Sequence, residues 1–154
     1  MLQFKNGKLH TQGCSFLLPE GFHLATELDL EHENGVTLWT PDKSAMIELD
    51  VYDRPEDTWK GLLALFEADS GLKPLEEIRA VTVNGLRGHE VFYTGTLHDE
   101  LYYETRLALP DERVVVFSVQ YQDEDNKTLK NTAPVLLVRD SICVCGGNAA
   151  GQTD

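Results

Sequence analysis

The chain has 154 residues, the length of about one domain, and 42% of them are hydrophobic, so it can bury a core without disulfides or metal. Its 26 acidic residues against 13 basic ones leave a net charge of −13, which repels phosphate backbones and anionic headgroups and argues against nucleic acid and membrane surfaces as partners. There is no apolar run of about 18 residues to span a membrane, no signal-peptide core within Met1–Thr11, and only three cysteines (Cys14, Cys143, Cys145), so the expected compartment is a reducing cytoplasm.

Three Asn-Gly pairs, Asn6-Gly7, Asn34-Gly35 and Asn84-Gly85, predict two-residue hairpins, because a type I′ turn needs φ > 0 at both central positions. The first joins Leu2–Lys5 to Lys8–Thr11. Phe16-Leu17-Leu18 then enters Pro19-Glu20-Gly21-Phe22, whose proline and glycine fit a type II turn. From His23 to Glu33 the residues alternate, with Leu24, Leu28 and Leu30 on one side and Glu27, Asp29, Glu31 and Glu33 on the other, as in a strand with a wet acidic face. Val36–Thr40 returns, and Ala45–Tyr52 follows with Ile47, Leu49 and Val51 on one face.

Pro55 is expected to open a helix in which Trp59, Leu62, Leu63 and Phe66 form a buried stripe, with Ser70-Gly71 supplying a left-handed cap. A meander follows: Ile78–Val83, Leu86–Leu97, Leu101–Leu109 and Val114–Tyr121. Val114–Phe117 is apolar on both faces and reads as a covered central strand. A last helix is expected from about Asn126 to Val138, with Leu129, Ala133, Leu136 and Leu137 on its apolar face and Pro134 kinking it. Residues 143–154 read as a disordered tail, leaving one domain over residues 1–142.

Three segments carry a resemblance. Phe16-Leu17-Leu18-Pro19-Glu20-Gly21-Phe22, Val81-Thr82-Val83-Asn84-Gly85-Leu86-Arg87-Gly88 and Leu136-Leu137-Val138-Arg139-Asp140-Ser141-Ile142 resemble the superfamily of the photosystem II extrinsic protein PsbP, the Ran-binding nuclear import factor and bacterial DcrB-like proteins. The resemblance covers about Leu9 to Ile142. It implies an α+β fold, a twisted antiparallel sheet of six to eight strands flanked by two main helices in a PsbP-like α/β/α sandwich. It also implies an accessory or binding module, some bacterial relatives being chaperones for secreted effectors. The matching positions are turn and core residues, so no functional residue is carried over.

Candidate chemistry is thin. His98-Asp99-Glu100, Glu31-His32-Glu33 and His89-Glu90 each put an imidazole beside carboxylates, and each reads better as a solvated turn or strand end than as a site. Cys143-x-Cys145 has Cys14 as its sole thiol complement, too few ligands for structural zinc. There is no nucleophile elbow, phosphate loop or dinucleotide fingerprint, and Ser118 reads as packing filler in mid-strand. Tyr93, Tyr102, Tyr103 and Tyr121 concentrate on the meander, with Tyr102 and Tyr103 facing opposite sides, so one of them lies under a helix while the other is free to form a groove. The expected function is therefore a non-catalytic protein-binding or chaperone-like module without cofactor, gripping a basic protein partner near these tyrosines. Glu27, Asp29, Glu31 and Glu33 would serve as its acidic rim, and a homodimer is compatible with this reading. A small-molecule or metal-ion carrier with a pocket between sheet and helix is the alternative. A hydrolase with dispersed residues is a third reading, and it requires a pocket uniting histidine, carboxylate and nucleophile.

Overall fold

A computed structural model describes residues 3–11, 13–25, 35–69, 71–95, 100–121 and 132–144. They form an α+β fold with two antiparallel sheets. Strands β1 (Gln3–Lys5), β2 (Lys8–Thr11), β3 (Cys14–Leu17) and β12 (Cys143–Val144) pair in the order β1-β2-β3-β12. The larger sheet has eight strands: β4 (His23–Leu24), β5 (Gly35–Trp39), β6 (Ala45–Tyr52), β7 (Leu72–Pro74), β8 (Arg79–Val83), β9 (Leu86–Gly95), β10 (Leu101–Ala108) and β11 (Val114–Tyr121). Its order is β4-β5-β6-β11-β10-β9-β7, and β8 pairs with β9 beside β7. Every pairing among the described residues is antiparallel.

The hairpin turns follow their chemistry. Asn6 and Gly7 have φ of 55° and 77°, and Asn84 and Gly85 have 49° and 82°, as a type I′ turn demands. Gly21, at φ 88°, takes the position that only a type II turn's third residue requires, and Phe22 N–H closes it on the Pro19 carbonyl at 3.2 Å. Gly88 serves close packing instead, since a Cβ there would sit 1.8 Å from the Arg106 carbonyl oxygen and the approach of β9 to β10 excludes a side chain.

Alternation sorts the larger sheet into two faces. Ile47, Leu49, Phe92, Tyr103, Leu107, Val115, Phe117 and Val119 share one face and are buried in the main core together with Leu9 and Phe16 from the N-terminal sheet. The opposite face carries Val91 and Tyr93, which pack with Leu62 of helix α1 (Thr58–Ala68) in a smaller cluster. Val114–Phe117 is buried throughout, so the first half of β11 is covered on both faces as its composition announces, whereas Ser118 and Gln120 farther along are only partly buried.

Helix α2 (Thr132–Arg139) gives Val135 and Val138 to the main core, followed by Ile142. Its buried face is therefore Val135 and Val138; Leu137 is exposed, contrary to the expected stripe, because the helix docks on the core through the Val135–Val138 side. Pro134 lies within the described part of this helix. Residues 122–131, including Leu129, lie outside the described residues. The segment after α2 is pinned at several points. The Asn84 amide donates to the carbonyls of Asp140 at 2.8 Å and Ile142 at 2.9 Å, and Leu17 N–H donates to Ser141 Oγ at 2.7 Å.

Other boundaries are corrected. α1 begins at Thr58, three residues after Pro55, because Asp57 accepts from the Trp59 and Lys60 amides at 3.1 and 3.2 Å and so fixes the cap. It ends at Ala68 with Asp69 in an extended conformation as its cap, and the Asp69 carboxylate accepts from Gly71 N–H at 2.8 Å. The expected tail is ordered at its start: Cys143 pairs with Ser15 and Val144 with Cys14, since the open edge of β3 offers two residues of ladder. That register puts the thiols of Cys14 and Cys143 on opposite faces of the small sheet. The sequence does not announce β7, whose three residues carry no pattern of their own.

The Asn84 clasp has a measurable weight. Asn84→Ala removes two hydrogen bonds and leaves alanine at positive φ, a loss of about 2–3 kcal/mol. Asn6→Ala, in the same turn geometry but without those bonds, should cost about 1 kcal/mol, and urea denaturation of both variants checks the difference.

Candidate functional site

The four meander tyrosines divide between the two faces. Tyr103 lies in the main core, 4.4 Å from Phe92 and 6.4 Å from Phe117 between ring centroids, and Tyr121 is buried on the same face. The Tyr121 hydroxyl has no partner among the described residues. On the other face Tyr93 stacks on Tyr102 at 5.0 Å with 15° between planes, and Phe66 of α1 meets Tyr93 edge-on at 5.5 Å. Phe66, Tyr93 and Tyr102 thus form an aromatic ladder that leads from beneath the helix onto the sheet surface beyond it. Tyr102 is the partly exposed end, and its hydroxyl donates to Glu100.

Beyond the ladder the sheet surface holds a depression of about 190 Å³ lined by Met46, Glu48, Tyr93, Tyr102, Glu104 and Gln120, with Ser118 at its floor. Glu104 is buried and accepts from Arg106 Nε at 2.7 Å and from Ser118 Oγ at 3.1 Å. Arg106 reaches on to Glu56 at 2.8 Å. Burial works against the Arg106 charge, but the carboxylates of Glu104 and Glu56 outweigh it and hold the guanidinium protonated more firmly than usual. Ser118 is therefore a hydrogen-bond donor in a polar network rather than packing filler.

His89 and Glu90 are both drawn into the fold, not left as a solvated strand end. Glu90 faces the main core and is met by three donors: Arg79 Nη2 at 2.8 Å, Tyr103 Oη at 2.5 Å, and Arg139. Arg139 also donates to Tyr103 Oη at 2.6 Å, so the end of α2 is tied to the sheet through charge. On the opposite face, His89 Nδ1 lies 2.7 Å from Thr58 Oγ1, in a crevice of about 380 Å³ bordered by Glu56, Asp57 and Arg87. Histidine, hydroxyl and carboxylate thus meet in one place, yet Asp57 is committed to the helix cap and Glu56 to Arg106. Thr58 is itself buried, so the pair fastens the start of α1 to β9.

Of the acidic rim, Glu27, Asp29, Glu31 and Glu33 lie outside the described residues, as do His32, His98, Asp99 and Cys145. What sequence reasoning missed is the buried role of charges inside the strands, Glu90, Glu104 and Arg106, and of Arg139 at the end of α2. Their signal was present for Glu90, which shares an inward strand face with Leu86 and Phe92. Among the described residues no group of three or more His, Cys, Asp or Glu is placed to hold a metal ion, and no helix is long and apolar enough to cross a membrane.

No family model matches the chain, and no curated protein does. Among solved structures it is similar to a crystal structure from Bacteroides thetaiotaomicron VPI-5482 determined at 1.50 Å resolution, with TM-score 0.53 and 8% identity over 91% of this chain. The match covers 49% of that chain, so the present sequence spans about half its length. At this identity the likeness shows the fold alone.

Two measurements test the site's electrostatics. Burial raises the phenol of Tyr102 to about 12, helped by the Glu100 hydrogen bond, raises Tyr121 to about 12, and pushes Tyr52, Tyr93 and Tyr103 upward as well. A raised folded value means these phenols stabilise the fold fully below the unfolded value of about 10 and that the contribution is lost as pH climbs above it. Phenolate absorbance of the native chain should therefore lag behind free tyrosine and rise together with unfolding between about pH 10 and 12. Separately, Glu90→Ala should cost about 3 kcal/mol by stranding Arg139 and Tyr103, whereas Arg79→Ala, at a half-exposed partner, should cost less than about 1 kcal/mol in the same urea titration.

Proposed function

We propose that this chain is a non-catalytic protein-binding module of the PsbP/DcrB-like kind, with its larger sheet sandwiched between helices, acting in the cytoplasm on a basic polypeptide in a chaperone-like manner. The observation that carries the reading is the Tyr93–Tyr102 stack beside the uncovered, acidic half of the sheet. Tyr102 offers a rigid ring and a polar tip, Met46 an adaptable apolar contact, and Glu48 a carboxylate for lysine or arginine. The depression is smaller than the roughly 300 Å³ at which small-molecule pockets begin, which favours a side chain of a larger partner over a free metabolite. The net charge of −13 speeds the encounter with a basic partner at low salt. The Thr58–His89 crevice, about 380 Å³ in volume, supports a small-molecule carrier as the second reading.

Panning a random peptide library on the folded chain should return sequences rich in lysine or arginine with an apolar or aromatic neighbour. Tyr102→Ala and Glu48→Gln should each weaken the synthetic peptides, the first about tenfold, and added salt should weaken them further. Peptides without basic bias, or indifferent to both substitutions, would remove the proposal.

A further inference from the structure

We infer that the crevice between α1 and the β7–β8 connection is a second docking groove, for a polypeptide segment that presents an apolar side chain flanked by lysine or arginine. The inference rests on reading the protein as a binding module but uses a part of the surface separate from the Tyr102 depression.

The argument begins with a mismatch. Helical spacing puts Trp59, Leu62, Leu63 and Phe66 on one stripe, and a stripe of that width ordinarily faces a core. Leu62 does so, fully buried against Val91 and Tyr93, but Trp59 remains 43% exposed. The stripe is wider than the sheet beneath it can cover. Its outer half instead walls a crevice of about 360 Å³, shared with Pro74 and Ile78. Leu75, 51% exposed, stands on the connection that bounds the same crevice. An indole at the mouth of a half-buried apolar floor is the usual form of an interface anchor.

Charge selects the occupant. Glu76 and Glu77 line the crevice and are exposed. Glu76 lies 4.0 Å from Arg79, an exposed pair that screens little, and Glu77 has no ion-pair partner among the described residues. Both therefore set a negative potential beside the apolar floor, which basic side chains flanking an apolar anchor complement. A second copy of this chain, itself at −13, is repelled from the same mouth.

The two tryptophans allow a clean test. Trp39 on β5 is paired with Met46, which lines the Tyr102 depression, whereas Trp59 lines the crevice. Trp39→Phe and Trp59→Phe thus leave one fluorescent reporter at each place. The probes are a helix-forming leucine/lysine peptide, the same composition scrambled, and a leucine/glutamate peptide. The amphipathic leucine/lysine peptide should shift Trp59 emission to shorter wavelength in the Trp39→Phe chain. Ile78→Asp should weaken that binding about tenfold, and so should the surface pair Glu76→Lys with Glu77→Lys, which leaves the core untouched. A silent Trp59, or an equal response to the scrambled or the acidic peptide, overturns the inference. So does a dimer in sedimentation that Trp59→Ala dissolves, since a second copy would then fill the groove. A response at Trp39 without one at Trp59 overturns this inference and spares the proposed function; the reverse pattern sinks the Tyr102 depression and spares the groove.

Discussion

The register of four neighbouring strands decides everything else in this molecule. β6, β11, β10 and β9 pair without a break, so Ile47, Val119, Tyr103 and Phe92 line up across the sheet, and Met46, Gln120, Tyr102 and Tyr93 line up on its other side. Strand side chains have a period of two, and a slip of one residue would exchange these rows. Tyr103 would leave the core, Glu48 and Glu104 would enter it, and both the aromatic ladder and the acidic depression would vanish. The apolar row fixes the register because burying Glu48 in place of Ile47 would strand a charge in low dielectric.

The second organising contact is polar. Leu17, Asn84 and the stretch from Arg139 to Ile142 are far apart in sequence, yet they meet where α2 ends. A helix end leaves carbonyls without partners, and the Asn84 amide supplies donors to Asp140 and to Ile142 beyond it. Arg139 adds the buried link to Glu90 and Tyr103. These residues belong to the three segments that carry the family resemblance. In this chain they form a structural clasp rather than a ligand site.

Much of the sheet was legible because its signals are local. Asn6-Gly7 and Asn84-Gly85 dictate their own turns, and the alternation over Ala45–Tyr52 and Val114–Tyr121 names the buried rows directly. The opposite orientation of Tyr102 and Tyr103 follows from the same rule. Less was legible where the decision is made between distant residues. The start of α1 depended on Asp57 outcompeting Pro55, and the buried face of α2 depended on docking against the core. β12 formed only because β3 has an open edge. Glu90 beside His89 read as a wet strand end because Arg79, Arg139 and Tyr103, which satisfy it, come from three other elements. A polar network of this sort leaves no spacing in the chain, since its members are united by topology.

Width explains why, among the described residues, one face of the sheet is only partly covered by a helix. A helix is about 10 Å across and strands lie about 4.8 Å apart, so α1 can cover about two to three strands, which here are β10, β9 and β7. The remaining surface on β5, β6 and β11 must then be fit for water, and Glu48, Asp50 and Gln120 make it so. A face required only to be wet has no need of Trp39, Met46, Tyr52 or Tyr102 among those carboxylates. Apolar rings dispersed between like charges resist pairing with another copy of the same surface, because the carboxylates approach before the rings can stack. They do not resist a chain of opposite charge, whose basic groups neutralise the carboxylates and bring its apolar groups down onto the rings. The same composition therefore suits the basic partner proposed above better than it suits self-association.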